Sequence, residues 1–377
     1  MKKIVIIGGG FAGLSVVKRL SGNKGSLDVV LVDKQSISGF LPLLPDTLGR
    51  AIDPGYLVCP IETFTSRYGF RFIQESVNAI NLEKKEVMTT RQRLSFDYLV
   101  IASGCETNFY ANQEIQKRAF TLDSAEDSIK LIDALTRNEY ETYLIAGGGY
   151  TGIEIATNLR RWLDTRNKTN RVVVVERASA ILGPLPQWMR QYVEDNLKRL
   201  RVEVLCPATV EKIDDDSITL SNREVFRQAM FIWAAGVRGV DCTQGLAIKK
   251  NPQGRILVDD QLMFQDACFA VGDAAVFSFH NNALRMAVQF AIAQGEVVAD
   301  NILNLVRQRP LRKFRPVDLG YIIPMANNQS CGIVLGFKIK GRAATLMHFL
   351  MCVFRSYGLR NRWGIIRGLM TKGKNSK

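Results

Sequence analysis

The chain has 377 residues, of which 47% are hydrophobic, and a formal net charge of +14. This length fits two domains, and this apolar content can build large cores, which excludes a disordered chain. The charge is concentrated at one end, because the segment from Arg309 onward carries 14 Lys and Arg against one acid, Asp318. A basic end on a nearly neutral body favours docking on an anionic surface and argues against binding to nucleic acid.

Cysteines and histidines are too dispersed to suggest a metal site. The seven cysteines, at positions 59, 105, 206, 242, 268, 331 and 352, form no C-x-x-C pair, and there are two histidines. This usage predicts reduced thiols in a reducing compartment and no bound metal. The apolar start is interrupted at Gly8, so we expect no signal peptide, and no stretch reaches the ~18 to 20 apolar residues of a spanning helix.

The same series of elements occurs twice in chain order. Each copy is a buried apolar strand, a glycine turn, a helix and a second buried strand that ends at an acid. The first copy has strands at 2–7 and 29–32 and a helix at about 13–21, and the second has strands at 143–146 and 172–175 and a helix at 153–163. Two copies of this unit in one chain predict two nucleotide-binding lobes.

The glycine turns carry the dinucleotide fingerprint. The first reads Gly8-x-Gly10-x-x-Gly13 and is followed by Asp33 at the end of the second strand. In this pattern the first glycine permits the tight turn, the second admits a pyrophosphate to the backbone, and the third lets helix and strand pack closely. The diphosphate then lies on the helix N-terminus, and the acid accepts from a ribose hydroxyl.

The second turn reads Gly147-x-Gly149-x-x-Gly152 and is followed by Glu176. A carboxylate at this place accepts hydrogen bonds from both ribose hydroxyls of NADH and repels the 2′-phosphate of NADPH. The next residue, Arg177, can bind that phosphate, so NADH is favoured and NADPH stays open. Between and after the two copies of this unit, short alternating segments at 71–80 and 202–220 predict small antiparallel sheets.

Two further segments resemble signatures of the pyridine-nucleotide:flavin oxidoreductases. They are DYLVIASG (97–104) and FAVGDA (269–274). The resemblance covers about the first 310 residues and implies an α/β fold with two Rossmann-like domains, the second inserted in the first. It implies an FAD-binding domain at 1–108 and 254–312, an NAD(P)H-binding domain at 109–253, and a basic amphipathic C-terminal membrane-association region at 313–377. The FAD is expected to be bound non-covalently.

The resemblance also assigns cofactor-binding positions. Those expected to contact FAD are Gly8, Gly10, Phe11, Ala12, Gly13, Asp33, Lys34, Ala102, Gly104, Gly272 and Asp273. Those expected to contact the nicotinamide cofactor are Gly147, Gly149, Tyr150, Thr151, Gly152, Glu176 and Gly236. Disulfide reductases of this architecture need a cysteine pair beside the flavin, which this sequence lacks. The electrons are therefore expected to pass to a small molecule, a quinone, oxygen or a protein carrier.

Four segments resemble the type II NADH:quinone oxidoreductases more closely. They are GGGYTGIEIA (147–156), WAAGVRG (233–239), VQFAIAQGEVVADNI (288–302) and GLRNRW (358–363). The resemblance implies a peripheral flavoprotein that passes a hydride from NADH to FAD and then reduces a membrane quinone without pumping protons. It implies catalytic roles for Glu154 near the two rings and for Gln289 and Gln294 near the quinone. Ala293 stands where the family motif has another glutamine.

Two alternative functions stay open at this point. One is an enzyme similar to sulfide:quinone oxidoreductases, which would need Cys105 and Cys331 to face the flavin. The other is a redox-sensing flavoprotein with slow turnover that binds a partner through its basic end.

The basic end also predicts how the protein attaches. Read as a helix, residues 345–355 have one polar stripe, and the rest of the surface is apolar; the stripe consists of Thr345, His348, Cys352 and Arg355. A second segment repeats the pattern, with an apolar face made of Leu359, Trp363, Ile366 and Met370. Apolar insertion with basic attraction predicts peripheral binding to an anionic membrane surface, on its cytoplasmic face. The alternatives are that these faces pack on the body of the protein or on a second subunit in a homodimer.

Overall fold

The computed structural model of the protein describes residues 1–21, 27–280 and 282–371. The chain forms two compact units. The first comprises Met1–Ser38, Cys59–Glu106 and Val237–Asp318, and the second comprises Gly39–Val58, Thr107–Gly236 and Leu319–Lys377.

The helices are given in chain order. They are α1 (Phe11–Leu20), α2 (Asp46–Gly49), α3 (Glu62–Tyr68), α4 (Gln113–Arg118), α5 (Ala125–Arg137), α6 (Tyr150–Asp164), α7 (Gln187–Arg199), α8 (Asp241–Gln244), α9 (Val288–Val306), α10 (Gly341–Arg355) and α11 (Gly358–Met370).

The strands are numbered in the same way. They are β1 (Lys2–Ile7), β2 (Leu27–Asp33), β3 (Ile37–Gly39), β4 (Val58–Pro60), β5 (Arg71–Gln74), β6 (Val77–Asn81), β7 (Glu86–Thr89), β8 (Arg93–Ser95), β9 (Tyr98–Ile101), β10 (Cys105–Thr107), β11 (Thr142–Ala146), β12 (Arg171–Val175), β13 (Val202–Leu205), β14 (Val210–Ile213), β15 (Ser217–Leu220), β16 (Val225–Arg227), β17 (Ala229–Trp233), β18 (Val237–Gly239), β19 (Ile256–Leu257), β20 (Met263–Gln265), β21 (Cys268–Ala270), β22 (Ala275–Val276), β23 (Ser278–Phe279), β24 (Asn282–Ala283), β25 (Gly320–Ile323), β26 (Cys331–Val334) and β27 (Phe337–Lys340).

The first unit is built on a six-stranded sheet in the order β20-β21-β9-β1-β2-β5. Every pairing is parallel except that of β20 with β21. The central strand β1 is buried from Ile4 to Ile7 because the sheet is covered on both faces, which explains its uninterrupted apolar run. The antiparallel sheet β6-β7-β8 contributes Val87 and Leu94 to the same core as Val5. Helices α1 and α9 pack closely, since a Cβ on Gly295 would lie 2.5 Å from the Ala12 carbonyl oxygen.

The second unit is built on a four-stranded parallel sheet in the order β13-β12-β11-β17. Its core joins Leu144, Val173 and Phe231 of this sheet to Ile218 and Phe226 of the antiparallel sheet β14-β15-β16. A second antiparallel sheet, β25-β26-β27, leads into α10 and α11. The fold class predicted from sequence, two Rossmann-like α/β lobes, is confirmed.

The two predicted antiparallel segments are each partly wrong. Arg71–Gln74 is the parallel edge strand of the first sheet, and Val202–Leu205 is the parallel edge strand of the second. Only the strands that follow them pair in antiparallel fashion. An edge strand is covered less than a central one, so it lacks the continuous apolar run by which a parallel strand is recognised in sequence.

The compact units and the domain limits inferred from the family resemblance divide the chain at different places. Residues 39–58 and 319–371 group with the second lobe, and residues 237–253 group with the first. Tertiary packing, which the resemblance does not describe, decides these groupings. Within the described ranges, every helix is too short or too polar to traverse a lipid bilayer.

Candidate functional site

The first glycine turn has the geometry that a pyrophosphate requires. Gly8 has φ +107°, and a Cβ there would lie 2.3 Å from the Ala102 carbonyl oxygen. A Cβ on Gly13 would lie 1.9 Å from the Gly8 carbonyl oxygen, so these two glycines are required by the fold itself. Nothing lies within 4 Å of a Cβ on Gly10. The chain therefore leaves open space at the middle glycine of this turn, which is expected to admit the pyrophosphate to the backbone.

The acid at the end of β2 is held against this turn. One Asp33 oxygen accepts from the Gly9 backbone N–H at 2.6 Å, and the other accepts from the Gln35 N–H at 2.8 Å. Lys34 beside it is exposed, and Phe11 and Ala12 form the first turn of α1. The predicted first-lobe residues are thus brought together at the carboxyl ends of β1 and β2, where α/β sheets bind ligands.

A second turn of the same unit lies beside α1. Gly272 has φ +65°, and a Cβ there would lie 3.1 Å from the Ala12 Cβ. Its N–H donates to the Gln294 amide oxygen at 2.7 Å. Asp273 is held in this turn, and burial raises the pKa of its carboxyl while the positive charge of Arg255 opposes the rise.

The two glutamines predicted for the quinone therefore differ in surroundings. Gln294 is buried, at 4% exposure, with its amide oxygen on Gly272. Gln289, one and a half turns earlier on α9, donates to an Asp318 carboxylate oxygen at 3.2 Å. Arg285 donates to the same oxygen at 2.7 Å.

The second glycine turn repeats the first. Gly147 has φ +115°, and a Cβ on Gly152 would lie 1.8 Å from the Gly147 carbonyl oxygen, whereas nothing lies within 4 Å of a Cβ on Gly149. Glu176 accepts from the Gly148 N–H at 2.7 Å and from the Ala178 N–H at 2.8 Å. Tyr150 and Thr151 begin α6 directly after this turn.

A cavity of about 490 Å³ opens at this turn and is lined by Gly147, Gly149, Glu176, Arg177, Trp233 and Gly236. Sequence reasoning missed Tyr110, whose hydroxyl oxygen would lie 2.4 Å from a Cβ on Gly236 and whose ring meets the Trp233 ring edge-on at 6.3 Å. Tyr110 is 58% exposed and has φ +51°. No periodic pattern marks such a residue, because it belongs to a loop.

Glu154 lies on the first turns of α6 and is half-buried. Burial, and then the negative charge of Asp46, raise the pKa of its carboxyl well above the ordinary value. Asp46 is itself buried and lies 2.9 Å from the Arg50 Nε. Neither Asp46 nor Arg50 was expected from sequence, since nothing in the pattern LPDTLGR brings α2 to α6.

The cysteines that an alternative function would need lack the character of reactive thiols. Cys105 is partly buried, and its Sγ lies 3.0 Å from the Asp273 carbonyl oxygen. Cys331 has no exposed surface. Burial raises the pKa of Cys105 to about 11 and that of Cys331 to about 12, so both are neutral thiols at physiological pH.

The C-terminal helices turn their apolar faces outward. On α10 the buried residues are Ala344, Thr345, Phe349 and Cys352, and the exposed ones include Leu346, Leu350 and Phe354. On α11 the buried residues are Asn361, Gly364, Ile365 and Gly368, and the exposed ones include Leu359, Trp363 and Met370. A Cβ on Gly364 would lie 2.2 Å from the Tyr56 ring, so this small residue fixes which face of α11 packs inward.

The family model for pyridine nucleotide-disulphide oxidoreductases matches residues 2–295. The chain belongs to this family. The demethylphylloquinone reductase NdbB of Synechocystis sp. is 29% identical over 94% of this chain and 92% of that protein. A type II NADH:quinone oxidoreductase of Haemophilus influenzae is 25% identical over 88% of this chain and 87% of that protein. These relatives confirm the resemblance inferred from the sequence segments.

A solved structure supports the fold independently of sequence. NDH2 from Plasmodium falciparum in complex with NADH matches with a TM-score of 0.85, covering 98% of this chain and 97% of that chain, at 17% identity. This likeness extends beyond residue 295, where the family model ends, and so includes the C-terminal helices.

Proposed function

We propose that the chain is a type II NADH:quinone oxidoreductase, a non-electrogenic NADH dehydrogenase that holds FAD in its first lobe and NADH in its second. The observation that carries this proposal is the pair of glycine turns, each with open space at its middle glycine and a carboxylate bonded to its backbone. Whole-length relatives named as NADH:quinone and demethylphylloquinone reductases point to the same reaction.

The residues of the first lobe fit FAD without a covalent link. Gly10 and the N-terminus of α1 receive the pyrophosphate, and Asp33 receives a ribose hydroxyl. The turn at Gly272 and Asp273, held by Gln294, receives the ribityl-phosphate side. Ala102 and Gly104 lie on the segment of chain that follows β9. Bound FAD supplies a hydride acceptor that passes electrons onward to the quinone.

The residues of the second lobe bind and orient NADH. Gly149 and the N-terminus of α6 receive its pyrophosphate, and Glu176 receives the adenosine ribose. Hydride transfer between stacked rings needs no protein nucleophile, so the protein contributes alignment and exclusion of water. Burial and the negative charge of Asp46 raise the pKa of the Glu154 carboxyl, which favours its protonated form, and Gln289 offers an amide to the quinone. Steady-state NADH oxidation with a short-chain quinone, with and without lipid, tests the whole proposal, and no quinone-dependent oxidation in either condition would refute it.

The donor preference gives a first specific test. We expect kcat/KM to favour NADH, and Glu176→Gln to lower kcat/KM for NADH about ten- to a hundred-fold, because a hydrogen bond to a charged group contributes about 1.5 to 3 kcal/mol. The difference in kcat/KM between NADH and NADPH should become smaller, because the variant no longer repels the 2′-phosphate of NADPH. Equal use of both donors by the unmodified enzyme would contradict this assignment.

The quinone contact gives a second test. We expect Gln289→Ala to raise the quinone KM and slow the oxidation of reduced flavin, while flavin reduction by NADH in stopped flow keeps its rate. Gln294→Ala is the matched comparison on the same helix: because Gln294 accepts from Gly272, its loss should lower FAD retention. Slower flavin reduction in the Gln289 variant would place that residue on the nicotinamide side.

We also propose that α10 and α11 hold the protein on the cytoplasmic face of a membrane. Their inward faces are already packed, as Phe349 lies under the Arg50 guanidinium at 4.7 Å and Gly364 lies under Tyr56. The exposed apolar side chains are accompanied by ten Lys and Arg and no acid from Lys338 onward. A second subunit would cover the exposed apolar side chains but would not account for the excess of positive charge. An anionic leaflet accounts for the exposed apolar side chains and for the positive charge.

A further inference from the structure

The cavity at the second glycine turn is lined on one side by the loop that precedes α4. A Cβ on Gly147 would lie 2.6 Å from the Ala234 carbonyl oxygen, so the segment that follows β17 lies directly against the turn. Gly236 belongs to this segment, and the Tyr110 hydroxyl oxygen would lie 2.4 Å from a Cβ there. The residues that line the cavity include Gly147, Gly149, Tyr110 and Gly236. The Tyr110 hydroxyl therefore lies at the side of the cavity where the pyrophosphate of the nicotinamide cofactor is expected.

The loop that carries Tyr110 is anchored on both sides of this residue. The Asn108 N–H donates to the Gly236 carbonyl oxygen at 3.2 Å, and the Asn108 carbonyl oxygen accepts from the Trp233 Nε1 at 2.9 Å. The Asn108 Oδ1 accepts from the Tyr110 N–H at 2.8 Å. Asn112 is the N-cap of α4 and accepts from a backbone N–H of the first turn at 3.0 Å. These bonds fix the backbone around Tyr110 against the residues that line the cavity.

Tyr110 and Ala111 have a backbone conformation that L residues adopt rarely, with φ angles of +51° and +59°. Such conformations cost free energy and persist where surrounding contacts impose them, often at ligand sites. The Tyr110 ring meets the Trp233 ring edge-on at 6.3 Å, yet the residue is 58% exposed. The chain thus holds an aromatic ring in a costly conformation and leaves more than half of its surface uncovered beside an open cavity.

The cavity offers few groups for the negative charges of a pyrophosphate. Among the described residues that line it, Arg177 is the only cation, and it follows Glu176 at the end of β12. Strand β11, which leads into the glycine turn, lies between β12 and β17. Arg177 and Tyr110 are therefore attached to opposite sides of the turn. On the β17 side, a phenol O–H is a donor suited to a phosphate oxygen, in addition to the N–H groups that begin α6.

We propose that the Tyr110 hydroxyl donates a hydrogen bond to the pyrophosphate of the nicotinamide cofactor, so that Tyr110, and not the Gly236 backbone, makes the contact on the β17 side. The inference rests on the proposed function and adds a binding residue to it. Gly236 then has a structural reason to be glycine, because its φ is +101° and the Tyr110 hydroxyl lies where a side chain would extend. Glu176 on the β12 side and Tyr110 on the β17 side hold the cofactor from both sides of the turn.

Calorimetric titration of the FAD-loaded enzyme with NAD⁺ tests this contact without turnover, because NAD⁺ does not reduce the flavin. We expect Tyr110→Phe, which removes only the hydroxyl, to raise the Kd for NAD⁺ about tenfold, since a hydrogen bond to a charged group is lost. The Kd for ADP-ribose should rise by the same factor, because ADP-ribose keeps the pyrophosphate and lacks the nicotinamide.

The matched control is Tyr140→Phe, which should keep the wild-type Kd for NAD⁺. The Tyr140 ring meets the Tyr143 ring edge-on at 5.9 Å, and Tyr140 precedes β11, at the end of the strand opposite to the glycine turn. The Tyr110→Phe variant separates a binding role from a packing role, because the phenylalanine ring keeps the contact with Trp233.

The possible outcomes separate the inference from the proposed function. An unchanged Kd for NAD⁺ in a folded Tyr110→Phe enzyme would overturn the inference and leave the proposed function standing. A rise in the Kd for NAD⁺ without one for ADP-ribose would place the hydroxyl on the nicotinamide half and overturn the pyrophosphate contact. Wild-type, FAD-loaded enzyme that binds no NAD⁺ would instead refute the proposed function.

A second measurement uses the wild-type enzyme alone. Tyrosines are nitrated with tetranitromethane, with and without saturating NAD⁺, and the nitrated positions are quantified by mass spectrometry. Bound NAD⁺ should slow nitration of Tyr110 about fivefold or more, because it covers the hydroxyl. Tyr68 on α3, which is partly exposed and lies in the first unit, should be nitrated equally in both samples. Equal nitration of Tyr110 with and without NAD⁺ would overturn the inference even if the Tyr110→Phe variant failed to fold.

Discussion

A Gly10→Val variant should fold and be colourless. A valine at position 10 meets no protein atom within 4 Å of its Cβ, so the chain tolerates it, but its methyl groups occupy the place of the FAD pyrophosphate. We expect flavin content below about a tenth of the wild-type value, since losing roughly 1.4 kcal/mol of binding costs a factor of ten and a blocked pyrophosphate costs more. The measurement is the flavin absorbance per protein, with circular dichroism as the check on folding.

The second turn supplies the matched control for this prediction. Gly149→Val should keep its yellow colour but lose NADH binding and flavin reduction, because it makes the same change in the other lobe. Gly13→Val and Gly152→Val should fail to fold, since each Cβ would lie within 2 Å of a carbonyl oxygen. A yellow Gly10→Val protein with normal flavin content would remove the basis for placing FAD in the first lobe.

Full-length enzyme should sediment with anionic vesicles at low salt, and a Phe354→Glu/Trp363→Glu double variant should stay in the supernatant. The two side chains are 73% and 69% exposed on α10 and α11, so replacing them disturbs no packing. Each inserted side chain of this size contributes about 1.5 kcal/mol or more, so the double change should weaken vesicle binding roughly a hundredfold or more. FAD content and NADH oxidation with a soluble dye should not change, while activity with long-tailed quinones should fall.

Val225→Glu is the control for the vesicle experiment, because Val225 is 49% exposed on β16, outside the C-terminal helices. Its vesicle binding should equal that of the wild type. Point variants are preferable to a chain ending near Gly336, since such a deletion would uncover Arg50 and Tyr56, on which α10 and α11 pack. Wild-type enzyme that stays in the supernatant with anionic vesicles at low salt would refute the membrane proposal.

The sequence alone determined the two nucleotide-binding lobes and their turns. A buried parallel strand needs a continuous apolar run, so β1 can be recognised from the local sequence. A turn at positive φ favours glycine, and an approaching pyrophosphate excludes a side chain, so Gly8 and Gly10 can be recognised in the same way. The amphipathic character of α10 and α11 is likewise local, because helical spacing assigns residues to faces.

Only the tertiary structure decided what lies against those residues. Helical spacing separates the stripe of Thr345, His348 and Cys352 from the apolar surface of α10, but only the structure shows that Thr345 and Cys352 are buried, together with Phe349 against the Arg50 guanidinium. Gln294 reaches Gly272, 22 residues away, and Asp46 acts on Glu154 across two distant segments of chain. The spacing of residues along a helix or strand determines which side chains share a face. It does not determine which element packs against that face, because that depends on contacts between segments far apart in the chain.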